Sequence, residues 1–323
     1  MPITLEESKV GMADKVDQMV VDEFRRGSFL LDRLTFDNAV SPGTGGSTMT
    51  YGYLQLLTPS MAAGRKINQE YTAGEAKKTK KTTDIKIFGG AFQVDRVLEQ
   101  TAAGSEISFQ LKQKVLATRN KFHYDFINGD SLTKEEDFDG LDKLLTGTST
   151  EYIPAASFDF SDADKIAVNA KKFAFEFDTF LSSLAAKPDM LLMNRKAKTA
   201  LQAVAREMKY FSQTEDAFGR KVDAYDSIPM IDLEEYYNGS KTVPCVPIGE
   251  STGETAIYAV CLGIDKVHGV SPTGNKLIRN YLPDMKAPGA VKTGEVEMLA
   301  AIAVKNSKMA GVFRGIKVVA ATA

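Results

Sequence analysis

SEISFQLKQKVLATRNKFHYDFINGD, residues 105 to 130, is the longest uninterrupted helical pattern in a chain of 323 residues. Ile107, Leu111, Val115, Phe122 and Phe126 recur at multiples of three to four and are flanked by Leu116 and Ile127. They form one apolar stripe, while Lys112, Lys114, Arg119 and Lys121 populate the other face. Ser105 is placed to cap the helix, Glu106 suits the positive end of its dipole, and Gly129 is expected as a left-handed stop. About 24 residues at roughly 1.5 Å each make a rod of about 36 Å, comparable to a whole small domain. The spacing therefore predicts a spine over 105–128 around which the fold is built.

Composition narrows what such a fold does. With 43% hydrophobic and 25% charged residues the chain has the makings of a core and is not a disordered polymer. No run of about 18 apolar residues is present, and MPITLEESKVGMADK carries acids where a secretory leader needs bases and then apolar residues. Neither a membrane span nor secretion by that route is expected. Forty Lys and Arg against forty-two Asp and Glu leave a net charge of -2, so nothing global draws the chain to phosphate backbones. Cys245 and Cys261, with no CxxC, and only two histidines, His123 and His268, suit a reducing cytosol without a zinc site. Cys245 reads as an ordinary loop residue and Cys261 as a small core residue. His268, with no carboxylate or cysteine at metal or triad spacing, reads as a turn-side residue. No G-x-S-x-G, HExxH or Walker pattern occurs, and Glu234-Glu235 reads as a solvated face. A soluble α/β enzyme is thus the distant alternative, and no catalytic, cofactor-binding or metal residue is expected.

Working outward from the spine, residues 4 to 26 predict an amphipathic helix, with Thr4 and Glu7 able to form a capping box and Val16, Met19, Val20 and Phe24 on one face. SFLLDRLTF follows, apolar enough to dock. Residues 1 to 37 hold eight acids and five bases, an acidic arm of net -3. SPGTGGST, residues 41 to 48, is a turn-rich break; no Lys-Ser or Lys-Thr follows in phosphate-loop register. Thr48 to Leu57 predicts a strand and Asp84 to Val97 another, with Gly89-Gly90 marking a bulge or bend. The excursion between them is basic: Arg65, Lys66, Lys77, Lys78, Lys80, Lys81 and Lys86 against three acids over residues 65 to 86, net +4. A two-stranded excursion of that composition is marginal by itself in water and calls for support. A neighbouring subunit would supply it; the plainer alternative is a solvated hairpin on a monomer. Nucleic-acid binding by AKKTKK is weaker, because only Tyr71 is near to interleave aromatically.

Past the spine, DSLTKEEDFDGLD carries Asp130, Glu135, Glu136, Asp137, Asp139 and Asp142 against Lys134, net -5. It lacks the alternating oxygen ligands, sixth-position Gly and twelfth-position Glu of a calcium loop, so it reads as a solvated or subunit-facing acidic loop. DADKIAVNAKKFAFEFDTFLSSLAAK is helical up to Pro188 and PDMLLMN is a short buried strand. Asn194 then caps a helix with Ala197, Ala200, Leu201, Val204, Ala205 and Met208 on one face. Asn238-Gly239 is a tight turn. TAIYAVCLGIDKVHGV is a buried strand and turn, and EVEMLAAIAVKNSKMAGVFRGIKVV is two strands about a short polar turn.

Phe126-Ile127-Asn128-Gly129-Asp130 followed by Phe138-Asp139-Gly140-Leu141 resembles the major capsid proteins of tailed phages, where a spine helix ends in such a turn and an acidic loop. PDMLLMN with its helix, Asp216-Ala217-Phe218-Gly219 through Ser227-Ile228-Pro229-Met230, GIDKV and the closing strand pair follow in the family's order. The resemblance implies an α+β phage capsid fold of the Hong Kong ninety-seven type. It divides the chain into an N-terminal arm (1–47), an extended two-stranded loop (48–94), a peripheral domain with the spine helix (95–150 and 280–305) and an axial domain (151–279 and 306–323). It implies a major capsid protein that self-assembles into hexamers and pentamers of an icosahedral phage head around double-stranded DNA, held without sequence-specific binding. Its partners would be copies of itself, a separate scaffolding protein or none, and portal and decoration proteins; its location would be the virion, after assembly in a bacterial host cytoplasm. The alternative within the fold is an encapsulin-like nanocompartment shell. No cofactor is implied. The expected subunit-interface residues are Arg65, Lys66, Lys77, Lys78, Lys80 and Lys81 on the loop and Glu135, Glu136, Asp137 and Asp139 on the acidic side.

Overall fold

The stripe predicted over 105–128 builds a 23-residue helix, Glu106–Asn128, with Leu111, Val115, Phe122, Phe126 and Ile127 buried. The computed structural model describes residues 28–40, 49–101, 106–209, 211–215, 221–273 and 277–320. The expected cap Ser105, the arm helix over 4–26, the break at 41–48 and residues 216–220 lie outside the described residues.

In chain order, helix α1 (Phe29–Arg33) and strand β1 (Phe36–Asp37) precede the hairpin strands β2 (Thr50–Thr58) and β3 (Lys77–Asp84). Strand β4 (Lys86–Asp95), a short α2 (Arg96–Thr101) and the spine α3 (Glu106–Asn128) follow. Then come α4 (Leu141–Leu145), β5 (Glu151–Tyr152), β6 (Phe158–Asp159), α5 (Ala163–Ser183), β7 (Met190–Met193) and α6 (Arg195–Glu207). The remainder is β8 (Phe211–Glu215), β9 (Lys221–Tyr225), β10 (Ile228–Asp232), β11 (Glu235–Tyr237), β12 (Thr242–Pro244) and β13 (Glu254–Val260). It closes with β14 (Val267–Val270), β15 (Ile278–Tyr281), β16 (Val291–Val304) and β17 (Ala310–Lys317).

Two sheets organise this mixture. A five-stranded sheet runs β1-β14-β16-β15 with β4 also on β16, and an eight-stranded sheet runs β5-β17-β13-β7-β10-β9-β8 with β6 also on β17. The two tail strands stand about a short polar turn as their pattern predicts, yet they do not pair with each other: each enters a different sheet. Strand β16 buries alternate residues to Met298 and then Ala300 to Val304 without a break, which is how a strand reads where it leaves a half-exposed surface for a covered one. The register of β4 on β16 is continuous from Val291↔Asp95 to Ala300↔Lys86, so Gly89-Gly90 makes no bulge there.

Each sheet has its own core. Under the first, Phe122 of the spine sits within 6.2 Å of the rings of Phe36, Phe88, Phe126 and Phe138. SFLLDRLTF docks into this core through Leu30, Leu31, Leu34 and Phe36. On the second, α5 presents Phe173, Phe177 and Phe180 edge-on to Phe313 at the sheet centre, at 5.4 to 5.6 Å between ring centroids. Helix α5 stops at Ser183, five residues before Pro188. Asn194 caps α6 as expected, its side chain accepting from Ala197 N at 2.9 Å, and the predicted face is buried from Ala197 to Ala205, with Met208 half-buried at the C-cap. Residues 226 and 227 turn β9 into β10 with both backbones left-handed, and Asn238 with Gly239 turns β11 into β12. Cys245 lies in a bend after β12, as a loop residue, yet is fully buried under the spine with its sulfur 3.7 Å from Asn120 O; His268, expected beside a turn, is instead fully buried on β14 under the hairpin.

Gly129 ends the spine for a different reason from the one its sequence suggests. Its φ is not positive; the constraint is space, because a Cβ would lie 2.1 Å from Phe138 O and 2.7 Å from Asp125 O. Gly140 meets it from the other side. Its N–H donates to Gly129 O at 2.8 Å, and a Cβ there would lie 2.5 to 2.7 Å from three backbone atoms of 125, 127 and 129. Gly129→Ala and Gly140→Ala are each expected to destabilise the subunit by about 3 kcal/mol, since backbone must move, whereas Gly147→Ala, left-handed but facing open space, should cost only about 1 kcal/mol. Urea unfolding of the three variants measures this; equal losses would show that the close backbone approach at 129 and 140 is relieved at no extra cost.

Candidate assembly surface

The hairpin alternates from Thr50 to Leu56, up to a register shift before Thr58. Leu54 and Leu56 pair with Lys80 and Lys78 on one face, while Tyr51, Tyr53 and Gln55 pair with Thr83, Lys81 and Thr79 on the other. Tyr51 and Tyr53 are buried against the body, and Leu54 and Leu56 are more than half exposed. The four expected lysines therefore divide: Lys78 and Lys80 stand beside an apolar pair on the outer face, Lys81 lies on the inner one and Lys77 ends the strand opposite Thr58. All four are exposed and none makes an ion pair among the described residues. At the tip, Arg65 stacks its guanidinium 5.2 Å from the Tyr71 ring and donates to Gln69 O at 3.2 Å, while Lys66 and Ile67 project into solvent.

The acidic loop is divided too. Lys121 Nζ bridges Asp125 at 2.6 Å and Asp137 at 2.7 Å, and Lys143 Nζ bridges Asp130 at 2.6 Å and Asp139 at 2.7 Å. Asp142 takes Arg314 at 2.8 Å. The Lys143 hydrogen bond, with help from Thr133, holds the Asp130 carboxyl down at about 2. At Asp139 burial pulls the other way, but Lys143 and Ser131 still lower it. Of the four acidic residues expected at an interface, Asp137 is buried and Asp139 half-buried within the subunit, and Glu135 and Glu136 project outward. The raw charge count missed this because it could not see Lys121 and Lys143 folding back.

Several groups escaped sequence reasoning. Arg119, expected on the solvent face of the spine, is buried and pairs with Glu234 at 2.5 Å, while Glu234 and Glu235 lie exposed as the solvated face expected of them. Asp125 is fully buried, and burial pushes its carboxyl up to about 6 against the pull of Lys121. His123 lies wholly inside. Its Nδ1 donates to Leu233 O at 3.2 Å, which makes Nε2 the acceptor for Ser28 Oγ at 2.7 Å, and that hydroxyl caps α1 by accepting from Leu31 N. An open groove of about 980 Å³ runs between the spine, the β11–β12 hairpin and the start of α6, lined by both signs of charge, among them Lys114, Arg195 and Glu235. Among the described residues no cluster of His, Cys, Asp and Glu is arranged to hold a metal, and no helix is long and apolar enough to cross a membrane.

A spine helix packed on one sheet, a second sheet with its own helices, and a long hairpin resting on the first by its base define the fold of the tailed-phage major capsid proteins, the Hong Kong ninety-seven type. No protein-family profile matches the chain, and no curated protein matches it by sequence. Solved structures do. The chain superposes on the holo-SrpI encapsulin of Synechococcus elongatus with a TM-score of 0.60 at 14% identity, over 91% of this chain and 89% of that one. The capsid of the native GTA particle gives 0.57 at 12% identity over 90% of each chain, and that of Mycobacterium phage Bobi 0.52 at 13% over 91% of each.

Burial pushes the His123 imidazole down to about 3, with Arg119 adding to the effect, so the folded subunit keeps it neutral where the unfolded chain, near 6.5, takes a proton. Its contribution is whole above about pH 6.5 and is lost as pH falls, by roughly 1.4 kcal/mol per pH unit. The stability difference between the native protein and His123→Asn should shrink at that rate between about pH 6 and pH 4 in urea titrations. A difference that stays constant would place the proton elsewhere.

Proposed function

We propose that this chain is a shell subunit, a major capsid protein that assembles into the hexamers and pentamers of an icosahedral phage head enclosing double-stranded DNA. The observation that carries the reading is the hairpin: on a capsid fold, a two-stranded sheet with Leu54 and Leu56 uncovered and its lysines unpaired requires a second protein surface. Another copy of the chain supplies it, with head-to-tail contacts closing into rings. The division into N-terminal arm, extended loop, peripheral and axial domains belongs to this reading, as do the virion location and partners such as scaffold, portal and decoration proteins. A net charge of -2 accords with confining DNA rather than binding it tightly. The reading requires no catalysis.

A second reading is favoured by the encapsulin likeness: the same subunit would form a nanocompartment around protein cargo. Sedimentation and negative-stain microscopy of recombinant protein test both. Polyhedral particles or ring-shaped capsomers support a shell, and their contents, DNA or protein, separate head from compartment. A stable monomer in every salt, without particles beside its neighbouring gene products, overturns both.

The partner of the basic hairpin is proposed to be the acidic side of a neighbour, through Glu135 and Glu136 or the arm, with Asp137 and Asp139 shaping that loop from within. Changing Lys77, Lys78, Lys80 and Lys81 together to Glu should raise the concentration needed for assembly by about tenfold or more at low salt, and less at high salt where such contacts are screened. Light scattering across a salt series reads this, and normal assembly of the variant at low salt sinks the charge argument.

A further inference from the structure

The hairpin stands on a small footing. Gln55 Nε2 donates to Val304 O at 3.3 Å and Tyr51 Oη donates to Asp37 Oδ2 at 2.8 Å. Elsewhere its inner face overlies two cavities, about 240 Å³ beside Tyr53, Lys81 and Thr148 and about 90 Å³ beside Tyr53, Lys86 and Ile302. The aromatic pair Tyr51 and Tyr53, with ring centroids 6.0 Å apart, is the anchor. Directly beneath Tyr51 lies His268, edge to face at 5.8 Å, on β14 opposite Ala303 of β16. This imidazole is fully buried, and neither ring nitrogen has a hydrogen-bond partner among the described residues beyond a marginal contact with the Lys266 backbone.

We propose that His268 is an acid-sensitive latch for the hairpin: protonation of the imidazole lifts Tyr51 from β14 and frees residues 50–58 and 77–84 from the body. An imidazolium carries two N–H donors, and this site offers them at most the Lys266 backbone carbonyl, so at least one donor stays unsatisfied unless the element covering it moves. That element is the hairpin, because β1 and β16 flank β14 within the sheet ladder whereas Tyr51 merely rests on it. The charged groups around the ring pull both ways. Lys305, whose ammonium lies 5.9 Å from the Tyr51 ring, opposes protonation; Asp37 of β1 and Asp265 of the preceding turn favour it; Lys266 stands beside the turn. Burial is the largest influence and Lys305 adds to it, holding the imidazole down at about 4 while the hairpin is seated. Lifted into water the ring returns toward 6.5, so acid favours the lifted state, by up to tenfold per pH unit. The latch concerns the docking of the hairpin on its own subunit and holds whatever the shell contains.

Hydrogen exchange by mass spectrometry on the full-length protein, with labelling times scaled for the intrinsic pH dependence, tests it. Protection of 50–58 and 77–84 should fall by up to roughly 300-fold between pH 6.5 and about pH 4, while 254–260 in the centre of the other sheet stays protected. His268→Phe, which keeps a ring and removes the proton, should abolish that pH dependence. Because the chain has only two histidines, the carbon-13 histidine spectrum of the unmutated protein gives an independent reading. The His268 signal should titrate together with loss of hairpin protection. An unchanged pH dependence in His268→Phe, or a His268 that titrates while the hairpin remains protected, overturns the proposal.

Discussion

The contact on which the rest depends is the meeting of two backbones at Gly129 and Gly140. A helix of 23 residues can organise a fold only if its end is fixed, and here the chain returns from the acidic loop to lay Gly140 against the last turn of the spine, with Gly140 N–H on Gly129 O at 2.8 Å. Side chains are excluded from that approach on both partners. Phe126 and Phe138, on either side of it, then reach Phe122 and fill the core under β4 and β16. The ion pairs of Lys121 and Lys143 follow, since both need the loop held against the helix to meet their carboxylates. The close approach of the two backbones sets the geometry there; the half-exposed Lys143 pairs add about 1 kcal/mol or less, smaller than the cost of a backbone clash, while the Lys121 pairs with buried Asp125 and Asp137 form only once that approach is made.

The spine was legible because its signal is local. Apolar spacing places Leu111, Val115, Phe122 and Phe126 on a stripe, and all are buried. The same spacing places Arg119 and His123 on that stripe, four residues apart and four on from Val115, and both are buried. Residue type overrode position in reading Arg119 as a surface lysine equivalent; the helical period was the better guide, and a partner such as Glu234 lies too far along the chain to be inferred. Gly129 was assigned to the right place with the wrong mechanism, because a helix stop is the local reason for glycine and close approach of a distant strand is not visible locally. In the second half the buried runs of β7 and β13, the closing strand pair and the Asn238-Gly239 turn were legible from residue type, whereas β8 and β15 were not. The pairing was not legible either: that β16 and β17, neighbours across a short turn, enter different sheets depends on partners distant in the chain, β4 for β16 and β13 for β17.

At the assembly surface the balance differs. Basic residues on a two-stranded excursion are visible in sequence, and strand alternation then decides which of them point outward with Leu54 and Leu56. The acidic side was overstated, because a sum over residues 130 to 142 treats every carboxylate as available when Asp130, Asp137, Asp139 and Asp142 are already satisfied within the subunit. Charge counts are informative for segments whose charges have no internal partner, and misleading for loops that clasp a helix.

These facts give the subunit an uneven distribution of stability. Two aromatic cores and two sheets hold the body, while the hairpin contributes few contacts to it and exposes the surfaces a neighbour would cover. An element that packs poorly on its own chain costs little to reposition and gains most from a partner, so in the proposed shell much of its stability would come from a neighbour. Burying a histidine whose ring nitrogens have no full hydrogen-bond partner under Tyr51, half of that element's aromatic anchor, makes its seating conditional on pH in the proposed latch, whereas His123, donating to Leu233 and accepting from Ser28, is fixed by a satisfied network. The two histidines thus differ in consequence because of what surrounds their nitrogens. Protonating one disturbs the spine with everything attached to it, and protonating the other disturbs an element already separable from the body.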